Sequence, residues 1–273
     1  MAEVKTFVRV DGHVLRVSIR GEGPPILLIM GLGGNIEMWR PLERELHRRG
    51  FQTIAYDAPG TGHSPPRLIP LRPHGLARQA AHLLDTLALP AADVLGVSFG
   101  GGVAQELALR NPYRVRRLVL ASTACGLGGV PGNPIALGLL ATPLRYYSSR
   151  FLQATKRCTY GPLTAPDSAL MHEHIAARRS RPPSMWGYVS QLYAGAGWTS
   201  LPWLHRITAP TLVLAGGKDP IVPPVNARIL AARIPGATVH IEPDAGHLLL
   251  MDRAPLCAEL IASFLQSPGV APG

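Results

Sequence analysis

Short apolar runs alternate along the chain with longer segments of helical length. The apolar runs are residues 26–30, 53–56, 94–97, 118–121 and 211–215. Runs of this length without polar alternation are typical of strands that are buried on both faces of a parallel sheet. The helical segments between them are residues 38–49, 74–87 and 101–110. This alternation predicts an α/β fold with a mostly parallel sheet flanked by helices.

The first twenty residues follow a different pattern. Residues 5–10 and 13–20 alternate between apolar and polar positions, and the dipeptide Asp11-Gly12 joins them. Asp-Gly between two alternating runs favours a tight hairpin, because both residues tolerate the positive φ angles that such a turn needs. We therefore predict an antiparallel pair of strands at one edge of the sheet.

The alternation is interrupted between Leu120 and Thr211. This stretch is too long and too apolar for a loop, and it contains candidate helices near residues 135–140 and 186–193. We interpret residues 123–206, here called the cap segment, as a helical cap inserted after the sixth strand. Residues 1–122 and 207–273 would then form the α/β core beneath it.

Composition and charge narrow the function classes. Of the 273 residues, 47% are hydrophobic and 16% are charged, which indicates a globular chain. The net charge is +10, and the cap segment contributes much of it, with only Asp167 and Glu173 as acids. The basic residues are dispersed and no nucleic-acid-binding motif occurs, so nucleic acid is not an expected partner. The basic cap would suit an anionic granule or lipid surface, although a solvated basic face explains the same charge.

The sequence gives no sign of a secretion signal, a membrane span or a disulfide framework. The N-terminus alternates like a strand from its start and lacks the apolar run of a signal peptide. No apolar stretch reaches the length of about 18 residues that a membrane helix needs. The three cysteines, Cys125, Cys158 and Cys257, form no closely spaced pair. We expect a cytoplasmic protein, and the sequence leaves its oligomeric state open.

The strongest chemical motif is GVSFG at residues 96–100, which fits the pattern G-x-S-x-G. An apolar run precedes it and a helix-forming run follows, so the serine lies in a turn between a strand and a helix. Such a turn exposes the serine oxygen, and it needs small neighbours because other backbone passes close by. We predict that Ser98 is a catalytic nucleophile; the alternative is a glycine-rich turn with an incidental serine.

A serine nucleophile needs a base, and the base needs an acid that orients it. Asp219 follows the apolar run that ends at residue 215, and His247 follows a weaker strand-like run at residues 238–241. Both therefore lie where ligand-facing loops gather, in the chain order serine, acid, histidine. We predict Asp219 as the acid and His247 as the base, with Asp244 as the rival acid.

Acyl transfer also needs N–H donors for the oxyanion of the tetrahedral intermediate. The amide of Phe99, directly after the serine, is one candidate. The other lies in the glycine-rich loop at residues 31–35, GLGGN, where we predict the amide of Leu32. This loop lacks the third glycine of G-x-G-x-x-G, because position 36 is Ile, and so it does not indicate a phosphate site. Neither a cofactor nor a metal ion is expected.

Together these motifs resemble those of the α/β-hydrolase superfamily over nearly the whole chain. Residues 57–64, DAPGTGHS, match its D-x-x-G-x-G-x-S turn. Finer features resemble one branch, the intracellular depolymerases of medium-chain-length poly(3-hydroxyalkanoate). These features are the oxyanion loop MGLGGN at residues 30–35, the segment VPGNP at residues 130–134, and the end of the cap segment at residues 191–205.

The resemblance implies an eight-stranded α/β-hydrolase fold and a serine esterase whose triad is Ser98, Asp219 and His247. It also implies a substrate among medium-chain polyesters or related 3-hydroxyacyl esters. Two residues depart from the branch: Met30 stands where the branch has Asn, and Phe99 stands where it often has Trp.

Other functions stay open, since a fold does not determine a reaction. A small-molecule carboxylesterase or lipase would use the same triad. C–C hydrolysis, thioester hydrolysis or perhydrolysis would use the same fold, as would a binding protein without catalysis. The apolar residues Leu137, Leu139 and Leu140 would line an acyl pocket in the cap segment, or they would simply pack its helices.

Overall fold

Eight strands form one sheet in the part of the chain that the structure, a computed structural model, describes, which is residues 4–163 and 169–267. Asp167 of the cap segment lies outside these described residues. The strands are β1 (Val4–Val10), β2 (His13–Arg20), β3 (Pro25–Ile29), β4 (Gln52–Tyr56), β5 (Ala92–Val97), β6 (Val115–Ala121), β7 (Thr211–Gly216) and β8 (Thr238–Glu242). Their order across the sheet is β1-β2-β4-β3-β5-β6-β7-β8.

The sheet is mostly parallel, as the apolar runs predict. β1 pairs with β2 and β2 with β4 in antiparallel fashion, whereas the pairs from β4 through β8 are parallel. The hairpin between β1 and β2 turns at Asp11 and Gly12, whose φ angles are 49° and 71°. The predicted antiparallel edge is therefore confirmed, with the turn residues that its geometry requires.

Helices cover both faces of this sheet. They are α1 (Arg40–Arg48), α2 (Pro73–Thr86), α3 (Phe99–Arg110), α4 (Pro134–Leu140), α5 (Leu144–Tyr147), α6 (Ser149–Tyr160), α7 (Ala169–Ser180), α8 (Met185–Gly195), α9 (Val225–Arg233), α10 (Leu249–Asp252) and α11 (Ala254–Gln266). Leu27 of β3 belongs to a core with α2, α3 and α9, whereas its neighbour Ile26 belongs to a core with α1 and α11. The side chains of successive strand residues thus pack into opposite cores, which explains why the strand is apolar at every position.

One predicted helix differs from the structure. The sequence pattern predicts a single helix over residues 38–49, but a short 3-10 turn at Ile36–Trp39 precedes α1, which begins at Arg40. Pro41 explains the boundary, because proline lacks an N–H and is tolerated only in the first turn of an α-helix.

The cap segment holds α4 through α8 and a 3-10 turn at Leu201–Arg206. It is bonded to the rest of the chain at several points. The guanidinium of Arg72 donates to the carbonyl of Tyr193 at 2.7 Å, and the Trp198 indole donates to Glu106 at 2.8 Å. The division into a core of two pieces and an inserted cap stays a prediction.

Candidate active site

Ser98 lies in the turn between β5 and α3, with φ 53° and ψ −122°. A positive φ on a residue other than glycine is unusual and strained, and it persists only where the surroundings hold it. A Cβ atom on Gly96 would lie 2.5 Å from the carbonyl oxygen of Gly100, and one on Gly100 would lie 2.1 Å from that of Ile29. The two glycines of the motif are therefore required by close backbone approach.

Ser98, His247 and Asp219 form one hydrogen-bonded chain. Nε2 of His247 lies 3.1 Å from Oγ of Ser98, and Nδ1 of His247 lies 2.7 Å from Oδ2 of Asp219. The carboxylate is an acceptor, so Nδ1 carries the ring proton and Nε2 is left to accept from the serine hydroxyl. The structure thus brings the three predicted residues together in the order that the chemistry requires.

The Asp219 carboxylate is held on both oxygens. Oδ2 bonds to the histidine, while Oδ1 accepts from the amides of Ile221 at 2.8 Å and Val222 at 2.9 Å. The side chain is fully buried. Every one of these bonds comes from an N–H group, so the carboxylate is fixed in the position from which it can orient a histidine.

The rival acid, Asp244, lies at the surface. Its carboxylate is 71% exposed and accepts from Nζ of Lys218 at 2.7 Å. This hydrogen bond and the charge of Lys218 lower the pKa of Asp244 below its usual range. The histidine bond goes to Asp219, so Asp244 forms an ion pair away from the ring.

The histidine loop is fixed to both the acid loop and the cap segment. The amide of Lys218 donates to the carbonyl of Ala245 at 2.9 Å, and the amide of His247 donates to the carbonyl of Tyr160 at 2.8 Å. A Cβ atom on Gly246 would lie 1.9 Å from that Tyr160 oxygen, so only glycine allows this contact. The position of the ring therefore depends on α6 of the cap segment.

The glycine-rich loop after β3 runs directly past the serine. A Cβ atom on Gly31 would lie 3.2 Å from Cβ of Ser98. The amide of Gly33 donates to Oε1 of Gln191 at 2.7 Å, a contact that the sequence did not indicate. Within residues 4–163 and 169–267, the amide of Leu32 has no acceptor. Phe99 is the first residue of α3, where a helix leaves N–H groups unpaired.

The D-x-x-G-x-G-x-S turn is hydrogen-bonded to the end of this loop. The carboxylate of Asp57 accepts from the amides of Ile36 and His63, both at 2.9 Å, and from the guanidinium of Arg16 at 3.1 Å. Burial raises the pKa of Asp57, and these bonds oppose the rise. A Cβ atom on Gly62 would lie 2.1 Å from an Asp57 oxygen. The motif thus fixes the residue that follows the glycine-rich loop.

A cavity of about 340 Å³ adjoins this site and is lined by Ser98, His247, Leu32 and Phe99. Most of its other lining residues are apolar, and they come from both the core and the cap segment.

The expectation for the leucines of α4 was partly wrong. Leu140 lines the cavity, whereas Leu137 is exposed and the half-buried Leu139 is not among the lining residues. Leu140 follows the buried Ala136 by four positions and so shares its helix face, whereas Leu137 is turned about 100° away.

Met30 and Phe99, the two residues that differ from the depolymerase branch, both line this cavity. Met30 lines it, and a Cβ atom on Gly34 would lie 2.4 Å from Cγ of Met30. Met30 therefore supports the glycine-rich loop by packing against Gly34. The ring of Phe99 faces Gly195 of α8, where an added Cβ would meet it at 4.0 Å.

Sequence reasoning missed two arginines at the site. Their charge suggests a solvated face of the cap segment, but Arg145 and Arg178 are both buried and line the cavity. The available signal was the periodicity of α7, where the buried residues Met171 and His174 precede Arg178 by seven and four positions and share its face.

The described part of the chain shows neither a metal cluster nor a membrane helix. In residues 4–163 and 169–267, no three His, Cys, Asp or Glu side chains are grouped so that they could hold a metal ion. None of the helices in these residues combines the length and the apolar character that crossing a membrane requires.

Comparison with known proteins places the chain among hydrolases. Residues 24–254 match a family model described as alpha/beta hydrolase fold. A poly(3-hydroxyalkanoate) depolymerase from Ectopseudomonas oleovorans is 42% identical over 262 residues, which cover 95% of this chain and 91% of the relative. A hydrolase from Pseudomonas aeruginosa PA01 aligns with a TM-score of 0.82 and 28% identity, covering 96% and 98% of the two chains. An enol-lactonase from Burkholderia xenovorans LB400 aligns with a TM-score of 0.79 and 27% identity, covering 96% and 100%.

Proposed function

This chain belongs to the α/β-hydrolase family, and from that premise we propose that it hydrolyses medium-chain poly(3-hydroxyalkanoate) or related aliphatic esters. The observation that carries the proposal is the hydrogen-bonded chain Ser98–His247–Asp219 beside an apolar cavity. The depolymerase from Ectopseudomonas oleovorans is 42% identical over a region that covers 95% of this chain, and this similarity supports the substrate class.

In the proposed mechanism, Nε2 of His247 takes the proton of Ser98 as Oγ attacks the ester carbonyl. The distance of 3.1 Å between the two atoms is within reach of proton transfer. The amides of Leu32 and Phe99 donate to the oxyanion, and Asp219 stabilises the imidazolium. The alcohol leaves with the proton from His247. Water, activated by the same histidine, then hydrolyses the acyl-enzyme.

A small-molecule carboxylesterase is the second candidate, and the size of the cavity favours it. About 340 Å³ lies near the lower end of the range for small-ligand pockets, which is roughly 300–1,000 Å³. Such a cavity holds one acyl chain of moderate length and no long polymer segment. The depolymerase function therefore requires that only the end or one unit of the polyester enters.

A series of substrates separates the two candidates. We expect kcat/KM for p-nitrophenyl esters to rise with acyl length up to about eight carbons, by roughly fourfold for each methylene, since burying one contributes about 0.8 kcal/mol. We also expect 3-hydroxy acids to be released from emulsified medium-chain polyester, measured by chromatography. Turnover of dissolved esters without release from the polyester would favour the carboxylesterase. Absence of turnover on every ester would contradict both.

An exposed apolar patch supports contact with an insoluble polyester. We define the patch as Leu68, Ile69, Trp186, Val189 and Tyr193, all of which are exposed. The Trp186 indole donates to the carbonyl of Arg67 at 2.8 Å, which joins the loop before α2 to α8 of the cap segment. Four of them, Ile69, Trp186, Val189 and Tyr193, line one surface groove, and apolar side chains clustered on a surface mark sites of interaction.

Charge introduced into this patch is expected to weaken adsorption to the polyester. Leu68 and Ile69 are 95% and 78% exposed, so replacing both with aspartate costs little stability. We expect binding to emulsified polyester, measured by co-sedimentation, to fall by about tenfold or more, since about 1.4 kcal/mol of apolar contact corresponds to that factor. Turnover of a dissolved p-nitrophenyl ester reports whether the active site is intact.

Tyr113→Asp is the matched control, because Tyr113 is exposed and apolar but lies in the 3-10 turn after α3, outside the patch. It should adsorb like the wild type. Equal adsorption of the double variant and the wild type would remove the patch from the proposed function.

A further inference from the structure

Two arginine side chains are buried beside the active site without a carboxylate partner. Arg145 on α5 is 4% exposed and Arg178 on α7 is 3% exposed, and both line the cavity that Ser98 adjoins. Among the described residues, neither forms an ion pair with an acidic side chain. A buried cation without a counter-charge is costly, so such a pair needs an explanation.

Tyrosine rings cover the flat faces of the two guanidinium groups. The guanidinium carbons of Arg145 and Arg178 lie 4.8 Å and 4.9 Å from the ring centre of Tyr146. Arg145 also lies over Tyr188 at 5.3 Å, and Arg178 lies over Tyr160 at 5.1 Å. These cation–π contacts stabilise the charges, but they leave the N–H groups in the guanidinium planes to find other acceptors.

Four buried polar atoms of the residues around this cavity have no hydrogen-bond partner within the described part of the chain. Nε of Arg145, Nη1 of Arg178 and the hydroxyl of Tyr160 are buried and lack a hydrogen-bond partner there, as does Nδ1 of His174. Burial and the charge of Arg178 lower the pKa of His174 well below its usual value, so its ring is neutral. Nε2 of this ring accepts from Nε of Arg178 at 2.6 Å, so Nδ1 carries the hydrogen. Each of these four residues lines the cavity and carries one buried donor for which the described residues supply no acceptor.

We propose that Arg145 and Arg178, with Tyr160 and His174, form a subsite for the carboxylate of the substrate. This inference rests on the proposed function, because a 3-hydroxyalkanoate chain ends in a carboxylate. That group supplies the missing negative charge and several acceptor lone pairs at once, as guanidinium groups require.

The position of the subsite determines which ester bond is cleaved. The hydroxyl of Tyr146 donates to the carbonyl of Leu32 at 2.5 Å, and Nη2 of Arg145 lies 3.4 Å from the same oxygen. Leu32 is the residue whose amide we assign to the oxyanion, so Arg145 contacts the residue that would hold the reacting carbonyl. In the terminal ester of a 3-hydroxyalkanoate chain, only the carbinol and methylene carbons separate the ester oxygen from the carboxylate, so both groups would occupy the same cavity. The enzyme would therefore release one 3-hydroxy acid at a time from the carboxyl end.

The test compares two substrates that differ at one end, a charged carboxylate against a neutral methyl ester, and follows cleavage of the ester between the two units. They are the linear dimer of 3-hydroxyoctanoate as the free acid and the same dimer as its methyl ester. Since a hydrogen bond to a charged group contributes about 1.5–3 kcal/mol, we expect the wild type to prefer the free acid by at least about tenfold in kcat/KM, mainly through KM. Equal kcat/KM for the two substrates would overturn the subsite, and this arm needs no variant.

Arg178→Gln tests the residue itself. It is expected to bring the ratio of kcat/KM for acid over methyl ester close to one, and Arg178→Lys is expected to restore part of the preference because it keeps the charge. Arg179→Gln is the matched control, since Arg179 is the next residue of α7 but is exposed, and it should keep the wild-type ratio. If Arg178→Gln lowered kcat/KM for both dimers equally, Arg178 would only be a structural support of the cap segment.

Binding without turnover separates this inference from the proposed function. Calorimetric titration of Ser98→Ala with 3-hydroxyoctanoate should show binding that is weakened about tenfold or more by adding Arg178→Gln. Binding of the acid by a protein that hydrolyses no polyester would uphold the subsite and overturn the proposed function. Hydrolysis of polyester by a protein that does not bind the acid would do the reverse.

Discussion

Replacing Ser98 with alanine is expected to lower kcat for every ester substrate by about 10⁴-fold or more. The variant keeps the oxyanion amides and the histidine, but it has no oxygen that can form the acyl-enzyme. The alanine would occupy the same strained turn, with φ near 53°, and fills no additional space. We therefore expect the fold and the thermal midpoint to stay close to those of the wild type. Steady-state kinetics with p-nitrophenyl butyrate measures the loss.

Ser122→Ala is the matched control for this substitution. Ser122 also follows a central strand, is buried, and has a positive φ of 46°. It does not belong to the hydrogen-bonded chain of His247, so its removal should change kcat by less than about twofold. A serine-directed phosphonate should add its mass to the wild type and to Ser122→Ala, but not to Ser98→Ala. Undiminished turnover by Ser98→Ala would contradict the assignment of the nucleophile.

The sheet and the three candidate catalytic side chains could be predicted because their signals are local. Strands buried on both faces appear as short runs that are apolar throughout, and β5 and β7 do so clearly. In a mostly parallel sheet, the loops after these strands meet at one edge, which explains why Ser98 and Asp219 could be expected to converge. The G-x-S-x-G pattern between an apolar run and a helix-forming run then made Ser98 the specific candidate.

The polar side of the cavity could not be predicted, since it depends on the tertiary structure. An arginine in an amphipathic helix is normally exposed. The spacing of Arg178 places it on the face of α7 that holds Met171 and His174, but neither charge nor spacing shows that aromatic rings from other elements will cover it. Arg145 contacts Tyr188 across 43 residues, and Gln191 contacts Gly33 across 158 residues. Such contacts are not encoded in any short stretch of sequence. The structure was therefore needed to find the part of the site that would select among esters.

The second large effect is expected at the acid. Asp219→Asn should lower kcat/KM by up to about 10⁴-fold, although it changes only one atom of the side chain. The side-chain oxygen of the introduced asparagine can still accept from the amides of Ile221 and Val222, so its NH₂ group would face the histidine. Nδ1 of His247 must then accept instead of donate, which places the ring proton on Nε2. A protonated Nε2 cannot take the proton of Ser98, and the nucleophile is not activated.

Asp244→Asn makes the same chemical change at the exposed rival and should leave kcat/KM within about twofold of the wild type. Its carboxylate bonds to Lys218 at the surface, where water can replace the lost partner. Rates with p-nitrophenyl butyrate and thermal midpoints should be measured for both variants, so that a loss of folding is not mistaken for a loss of chemistry. Activity that survives in Asp219→Asn but is lost in Asp244→Asn would move the role of the acid to Asp244. The two variants lose the same charge and differ only in what the carboxylate contacts. A large loss in Asp219→Asn alone would therefore assign the acid to the carboxylate that fixes the histidine tautomer.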